Sequence, residues 1–128
     1  MKSIVNDHLN SKVMAVKKMH CDCLSTIKPV RDALDVISGK WKLPIIISIS
    51  VGNDRFTDIQ ESIPGITPKV LTKELKDLEQ HKLIQRSVVE DYPAKIIYKV
   101  KPYADTLTPI IYALKDWGLN HKKVVTEY

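Results

Sequence analysis

Residues 57–82 constrain this chain most, because two helix signals there are separated only by Pro64–Gly65. That pair stops a helix, since Pro withholds an N–H and Gly favours a turn. The second signal is the clearer. Thr67 stands as an N-cap, Pro68 follows at the first helical position, and Leu71, Leu75 and Leu78 recur at helical spacing with Val70 beside them. The spacing predicts a helix over 67–82 with one apolar stripe turned inward. The first signal, "TDIQESI" over 57–63, offers Thr57 as an N-cap with Gln60 three residues later, the capping-box pattern. Phe56, Ile59 and Ile63 are its expected core residues.

Beyond the second helix the period of the chain changes. Two β-rich runs, 84–90 and 96–100, flank the turn signal "DYPAK" over 91–95. This predicts a hairpin with Lys95 at its tip and Lys99 and Lys101 on the returning strand. Two close helices and a hairpin make a helix-turn-helix with a β wing.

Upstream, Pro29 opens a predicted short amphipathic helix, 29–38, with Val30, Ala33, Leu34 and Ile37 on one side and Gly39 as its stop. The run "WKLPIIISISV", 41–51, is nearly all apolar, and periodicity does not separate a buried strand from a buried helix. Its β-branched residues favour a strand. Ser38–Gly39 as a cap and Pro44 close to the start favour a central core helix, which is the reading adopted. Val5, Leu9, Val13, Val16 and Met19 predict an N-terminal helical arm whose apolar side needs a partner, followed by a polar hinge, "HCDC" at 20–23. From Pro102 to about Lys123 the chain reads as helix again, with Pro109 kinking it or marking its early turns. Leu107, Ile110, Ile111, Leu114 and Trp117 give it an apolar face wider than a small domain easily covers. The expected class is α+β, mainly α: a winged helix-turn-helix with a two-stranded β wing and terminal dimerisation helices. Residues 1–27 read as the arm and 28–128 as the winged domain with its C-terminal helix.

The length of 128 residues allows one core, and 44% apolar with 27% charged residues describes a globular chain. No apolar run approaches the ~20 residues that span a bilayer, so no membrane partner is expected. Without a signal-peptide core at the start, and with two cysteines only, a reducing, cytoplasmic setting is the default. The net charge of +5 suits a polyanion. No nucleophile–base set, phosphate loop or paired carboxylates point to an enzyme.

The charge is placed where a polyanion could use it. Thr67, Lys69, Thr72, Lys73 and Lys76 lie away from the leucine stripe, and the helix opening at Thr67–Pro68 adds the partial positive charge of its N-terminus. The threonines can bond phosphates or base edges, and Lys69 and Lys73 can reach guanine acceptors or phosphates. Glu74, Asp77 and Glu79 are read as offsetting the later lysines, Lys76 and Lys82. Arg55 precedes the first helix, where it can touch phosphate, and Lys95 at the hairpin tip can enter a minor groove or meet the backbone. The blander reading is a solvated face of ion pairs worth ~0.2–0.5 kcal/mol each. Cys21 and Cys23 could form a thiol sensor, but two cysteines and His20 fall short of a closed zinc site, so no metal and no cofactor are expected. Trp41 and Trp117 read as core and dimer-interface residues rather than the lining of an effector pocket.

The segments "PVRDALDVISGKWKLPII", "RFTDIQESIPGITPKVLTKELKDLEQHKLIQR" and "YPAKIIYKVKPYADTLTPIIYALKDWG", in this order, resemble the HxlR-type winged helix-turn-helix transcriptional regulators, relatives of the MarR group. The resemblance covers roughly 28–118. It implies a homodimeric DNA-binding regulator without enzymatic activity, with helix 67–82 in the major groove of a pseudo-palindromic operator, the wing at the minor groove or backbone, and terminal helices building the dimer. A small-molecule effector is compatible with it. Many members carry a Cys-Pro at the start of the core, and in some that cysteine senses oxidants. Here Lys28 precedes Pro29, so a redox role does not carry over to Cys21 or Cys23 by position. The competing class is a winged-helix protein-interaction module, which would present an apolar or acidic face on helix 67–82.

Overall fold

The computed structural model describes residues 20–127, with side chains from Leu24 onward. The apolar stripe from Val5 to Met19 lies outside them. The described residues fall into two compact units, one ending at Ser38 and the other running from Gly39.

The first unit contributes one helix, α1, His20–Ile37. Pro29 lies inside α1 instead of opening it, and the backbone over 20–23 is helical where a hinge was expected. A proline removes one helical bond and crowds the preceding turn, but no glycine or turn signal between His20 and Lys28 adds to that cost. Lys28 pairs along the helix with Asp32 at 3.2 Å, both exposed.

In the second unit, α2 (Lys42–Ser50) is helical as expected and supplies buried Ile45, Ile46 and Ile49. Pro44 sits in the first turn, where its missing N–H has no helical partner to lose. The cap differs from expectation: Trp41 occupies the N-cap, with no side-chain bond, so Ser38 does not serve there. Next comes α3, Phe56–Ser62, capped by Arg55 without a side-chain bond. Thr57 is therefore already helical and the Thr57–Gln60 capping box does not form. Ile59 and Ile63 are buried and Phe56 is half-buried.

The helix expected over 67–82 is α4, Pro68–Gln80, and its Leu71, Leu75 and Leu78 are all buried. The wing is β1 (Ile84–Val89) paired antiparallel with β2 (Lys95–Val100), Ile84 opposite Val100 and Val89 opposite Lys95. The wing is anchored at its root. Ile84 and Tyr98 are buried, the Tyr98 N–H donates to the Asp54 carbonyl at 2.8 Å, and the Lys101 N–H donates to Leu83 at 2.9 Å. A 3-10 turn, Pro102–Leu107, buries Ala104 and Leu107 and leads into α5, Thr108–Thr126. Pro109 stands in the first turn of α5, the second of its two expected placements. The core is thus one apolar cluster shared by α2, α3, α4 and the wing root. Among the described residues no helix is long and apolar enough to cross a membrane.

Candidate nucleic-acid interface

The first turn of α4 is built from its sequence in a simple way. Thr67 is extended, and its Oγ1 accepts a hydrogen bond from the Val70 N–H at 3.2 Å. Pro68 has no N–H to offer, and the Leu71 N–H donates to the Thr67 carbonyl at 2.9 Å. The Lys69 N–H is left as the outward donor of that turn. The Thr67 hydroxyl accepts that bond and can still donate its proton to an outside acceptor. Thr72 is the reverse case. Its Oγ1 donates to the Pro68 carbonyl at 2.8 Å, so in this rotamer it offers lone pairs to an amino group on a base edge.

Lys69, Thr72, Lys73 and Lys76 are all exposed. Their spacing of three and four puts them on one stripe, with Gln80 continuing it. The acidic residues expected to offset this stripe do not all face it. Lys42, at the start of α2, reaches Glu74 at 3.0 Å and Asp77 at 3.7 Å. The Lys42 and Glu74 side chains are only 14% and 12% exposed. Two of the three carboxylates on α4 are thus held by a cation from a neighbouring helix, and Glu79 alone remains as an exposed acid beside the lysines. The outward charge of α4 is more positive than its sequence suggests.

Arg55 is exposed at the N-cap of α3. Lys95 stands elsewhere than expected. It opens β2 opposite Val89, and its Nζ lies 3.7 Å from the Asp91 carboxylate. The turn itself is Glu90–Ala94, with Tyr92 fully exposed and Glu90 and Asp91 making it acidic. Lys95 thus stands beside the turn, in a loose surface pair with one of its two acidic residues.

Sequence reasoning passed over Arg86. It lies on β1 opposite Tyr98, exposed, and borders an open cleft between α4 and the wing. Phe56, Leu75 and Tyr98 contribute apolar surface to that cleft, and Thr72, Lys76, Glu79 and Arg86 contribute polar groups. The signal that could have found Arg86 is strand parity: it shares a sheet face with Ile84, which points to the core beside α4. Among the described residues no group of three or more His, Cys, Asp or Glu side chains could hold a metal ion.

The model of the HxlR-like helix-turn-helix family matches residues 36–126. The chain is 37% identical over 94 residues to the uncharacterized HTH-type transcriptional regulator YdeP of Bacillus subtilis, covering 73% of each chain. It is 35% identical over 100 residues to YybR of the same organism, described in the same terms, covering 78% of this chain and 80% of that one. The solved structure of the redox regulator HypR in its reduced form superposes with a TM-score of 0.71 at 35% identity, over 78% of this chain and 99% of HypR. With the winged architecture, the family match and these relatives in agreement, the chain belongs to the HxlR-like helix-turn-helix family.

Proposed function

We propose that this helix-turn-helix transcriptional regulator binds double-stranded DNA as a homodimer, at a pseudo-palindromic operator in the cytoplasm. In each protomer α4 enters the major groove and the wing lies along the minor groove or backbone. Lys69 and Lys73 with Thr67 and Thr72 are the reading residues of α4, and Lys76, later on the helix, contacts the backbone. Pro68 fixes the approach of its first turn, Arg55 contacts phosphate, and Lys95 acts once it is released from Asp91. The carrying observation is the stripe Lys69–Thr72–Lys73–Lys76, exposed on a helix whose opposite side is pinned by three buried leucines. A protein-docking module would put apolar or acidic side chains there, and an enzyme would need a catalytic constellation.

Genomic fragments enriched on the purified protein provide the duplex for a binding test across salt. If about six phosphates are neutralised per dimer, log K falls against log salt with a slope near −5. Exchanging Lys69 and Lys73 together for Ala is expected to cost at least tenfold in affinity without changing the fold. A flat salt dependence, or unchanged binding by that variant, overturns the assignment.

A second reading, a thiol response through Cys21 and Cys23, is favoured by the similarity to HypR, a protein described as a redox regulator. Its test is oxidant added to the preformed DNA complex. Release that is abolished in Cys21→Ser and Cys23→Ser supports it, and retention of the complex rules it out.

A further inference from the structure

We propose that the cleft between α4 and the root of the wing is a clamp for a DNA backbone phosphate, with Arg86 as its principal ligand and Lys76 as the second cation. The proposal rests on the reading of α4 as a DNA-binding helix, and it moves the charged contact of the wing from its tip to its base.

Two observations carry it. The first is where the wing keeps its free positive charge. At the tip, Glu90 and Asp91 outnumber Lys95, which is already within 3.7 Å of Asp91. A phosphate approaching the tip meets net negative charge. At the root, Arg86 is exposed and forms no ion pair among the described residues, although Glu79 borders the same cleft. The second is convergence. Lys76 and Arg86 come from different elements and border one concave surface, with Thr72 beside them. Lys76 also ends the Lys69–Lys73–Lys76 row, so the cleft continues the cationic stripe of α4 towards the sheet.

The chemistry suits a phosphodiester. A guanidinium binds two non-bridging oxygens with a planar fork, and an ammonium adds a point charge from the other side. Arg86 is also set on a short, rigid lever. It lies two residues from Ile84, which is fully buried, and opposite buried Tyr98, so the strand that carries it is held in place and only the side chain has to be ordered on binding. With the first half of α4 in a major groove, the strand bordering that groove has to pass beside the helix, and the wing side of α4 is where a phosphate meets both cations. Glu79 opposes the phosphate and tempers the site.

Full-length protein titrated with the enriched duplex, and with a random-sequence duplex of equal length, tests the clamp over a range of salt. Arg86→Ala is expected to weaken binding to both duplexes by about tenfold and to reduce the salt slope by about two per dimer, one phosphate contact being lost from each protomer. Discrimination between the duplexes stays as it was, because a backbone contact carries no sequence. Arg86→Lys keeps the slope and part of the affinity. Glu79→Gln strengthens binding, and its substitution on an exposed helix face is independent of any packing role Arg86 has. Thermal unfolding of each variant identifies loss of fold. Wild-type affinity and slope in Arg86→Ala, or no gain in Glu79→Gln, overturns the clamp. If the Lys69/Lys73 variant still loses binding in that case, the reading of α4 stands and only the clamp is wrong. If that variant also binds normally, both fall.

Discussion

Lys82 has a positive φ of 62°, a left-handed conformation that costs a side chain but not a glycine. The reason is the end of α4. His81 is its C-cap, the Lys82 N–H donates to Glu79 at 3.0 Å, and the Leu83 N–H donates to Leu78 at 3.0 Å. That pair of bonds is a Schellman motif, closed by the buried leucines 78 and 83. The end of α2 repeats it, with Gly52 bonded to Ile49 and Asn53 to Ser48, each at 3.1 Å. There the left-handed position has the residue that fits, at φ 115°. Lys82→Gly is therefore expected to stabilise the fold by about 0.5–1 kcal/mol, read from chemical denaturation. Thr67→Ala is expected to cost about 1 kcal/mol by the same measurement, since it removes the cap bond to Val70. The two threonine caps show how far single residues can be read. Thr57 and Thr67 both read as N-caps, and Thr57 has Gln60 as well, but only Thr67 is followed by a proline that fixes the first helical turn. At α3 nothing of that kind sets the boundary, and the N-cap falls two residues earlier, at Arg55.

Between elements, the contact that matters most for α4 was invisible in its own sequence. A helical wheel separates the leucines from the lysines, but it cannot say that Glu74 and Asp77 have a cation waiting on α2. In the sequence Lys42 is one polar residue in an apolar run. It is largely out of solvent, at the N-terminus of a helix where the dipole disfavours positive charge, so the two carboxylates are what make it tenable. Lys42→Met leaves the largely covered Glu74 without its partner and is expected to destabilise the fold by about 2 kcal/mol. Adding Glu74→Leu should recover much of that loss, because both charges are then gone. Denaturant midpoints of the two single variants and the double variant give the coupling, and simple additivity would mean the pair does not interact. The same variants bear on DNA binding. Lys42→Met frees two negative charges on the helix proposed to approach phosphates, so its affinity is expected to fall at low salt even below the unfolding transition. The order of elements and the Leu71–Leu75–Leu78 stripe were legible because they follow from local periodicity. This ion pair was not, because it depends on how two distant segments cross.

At the scale of the whole molecule, α5 is an unfinished surface. None of its residues is buried, although it runs from Thr108 to Thr126 and carries Ile110, Leu114, Trp117 and Val124 at spacings of three, four and seven. Of the five apolar residues read as one face from Leu107 to Trp117, Leu107 alone is buried, and Trp117 is 63% exposed. Trp117 stacks on His121 one turn later, with centroids 4.6 Å apart and planes 15° from parallel, which extends the same stripe. An apolar stripe of this length on a small regulator calls for a cover, and the proposed homodimer supplies one from a second copy of the same helix. The sequence already implied the excess, since the apolar face was wider than one small core needs. Trp117→Glu and Leu114→Glu each place a charge in the centre of that stripe and are expected to convert the dimer to a monomer, measured as molar mass by light scattering. DNA affinity should fall with it by about a hundredfold or more, because the second half-site is then no longer held at high effective concentration. The fold of the monomer should survive, since neither side chain contributes to the shared core of α2, α3, α4 and the wing root. A variant that keeps the dimeric mass would mean that the subunits meet elsewhere. A variant that becomes monomeric yet binds the enriched duplex as tightly as before would separate dimerisation from recognition, and α4 would then read its site one protomer at a time.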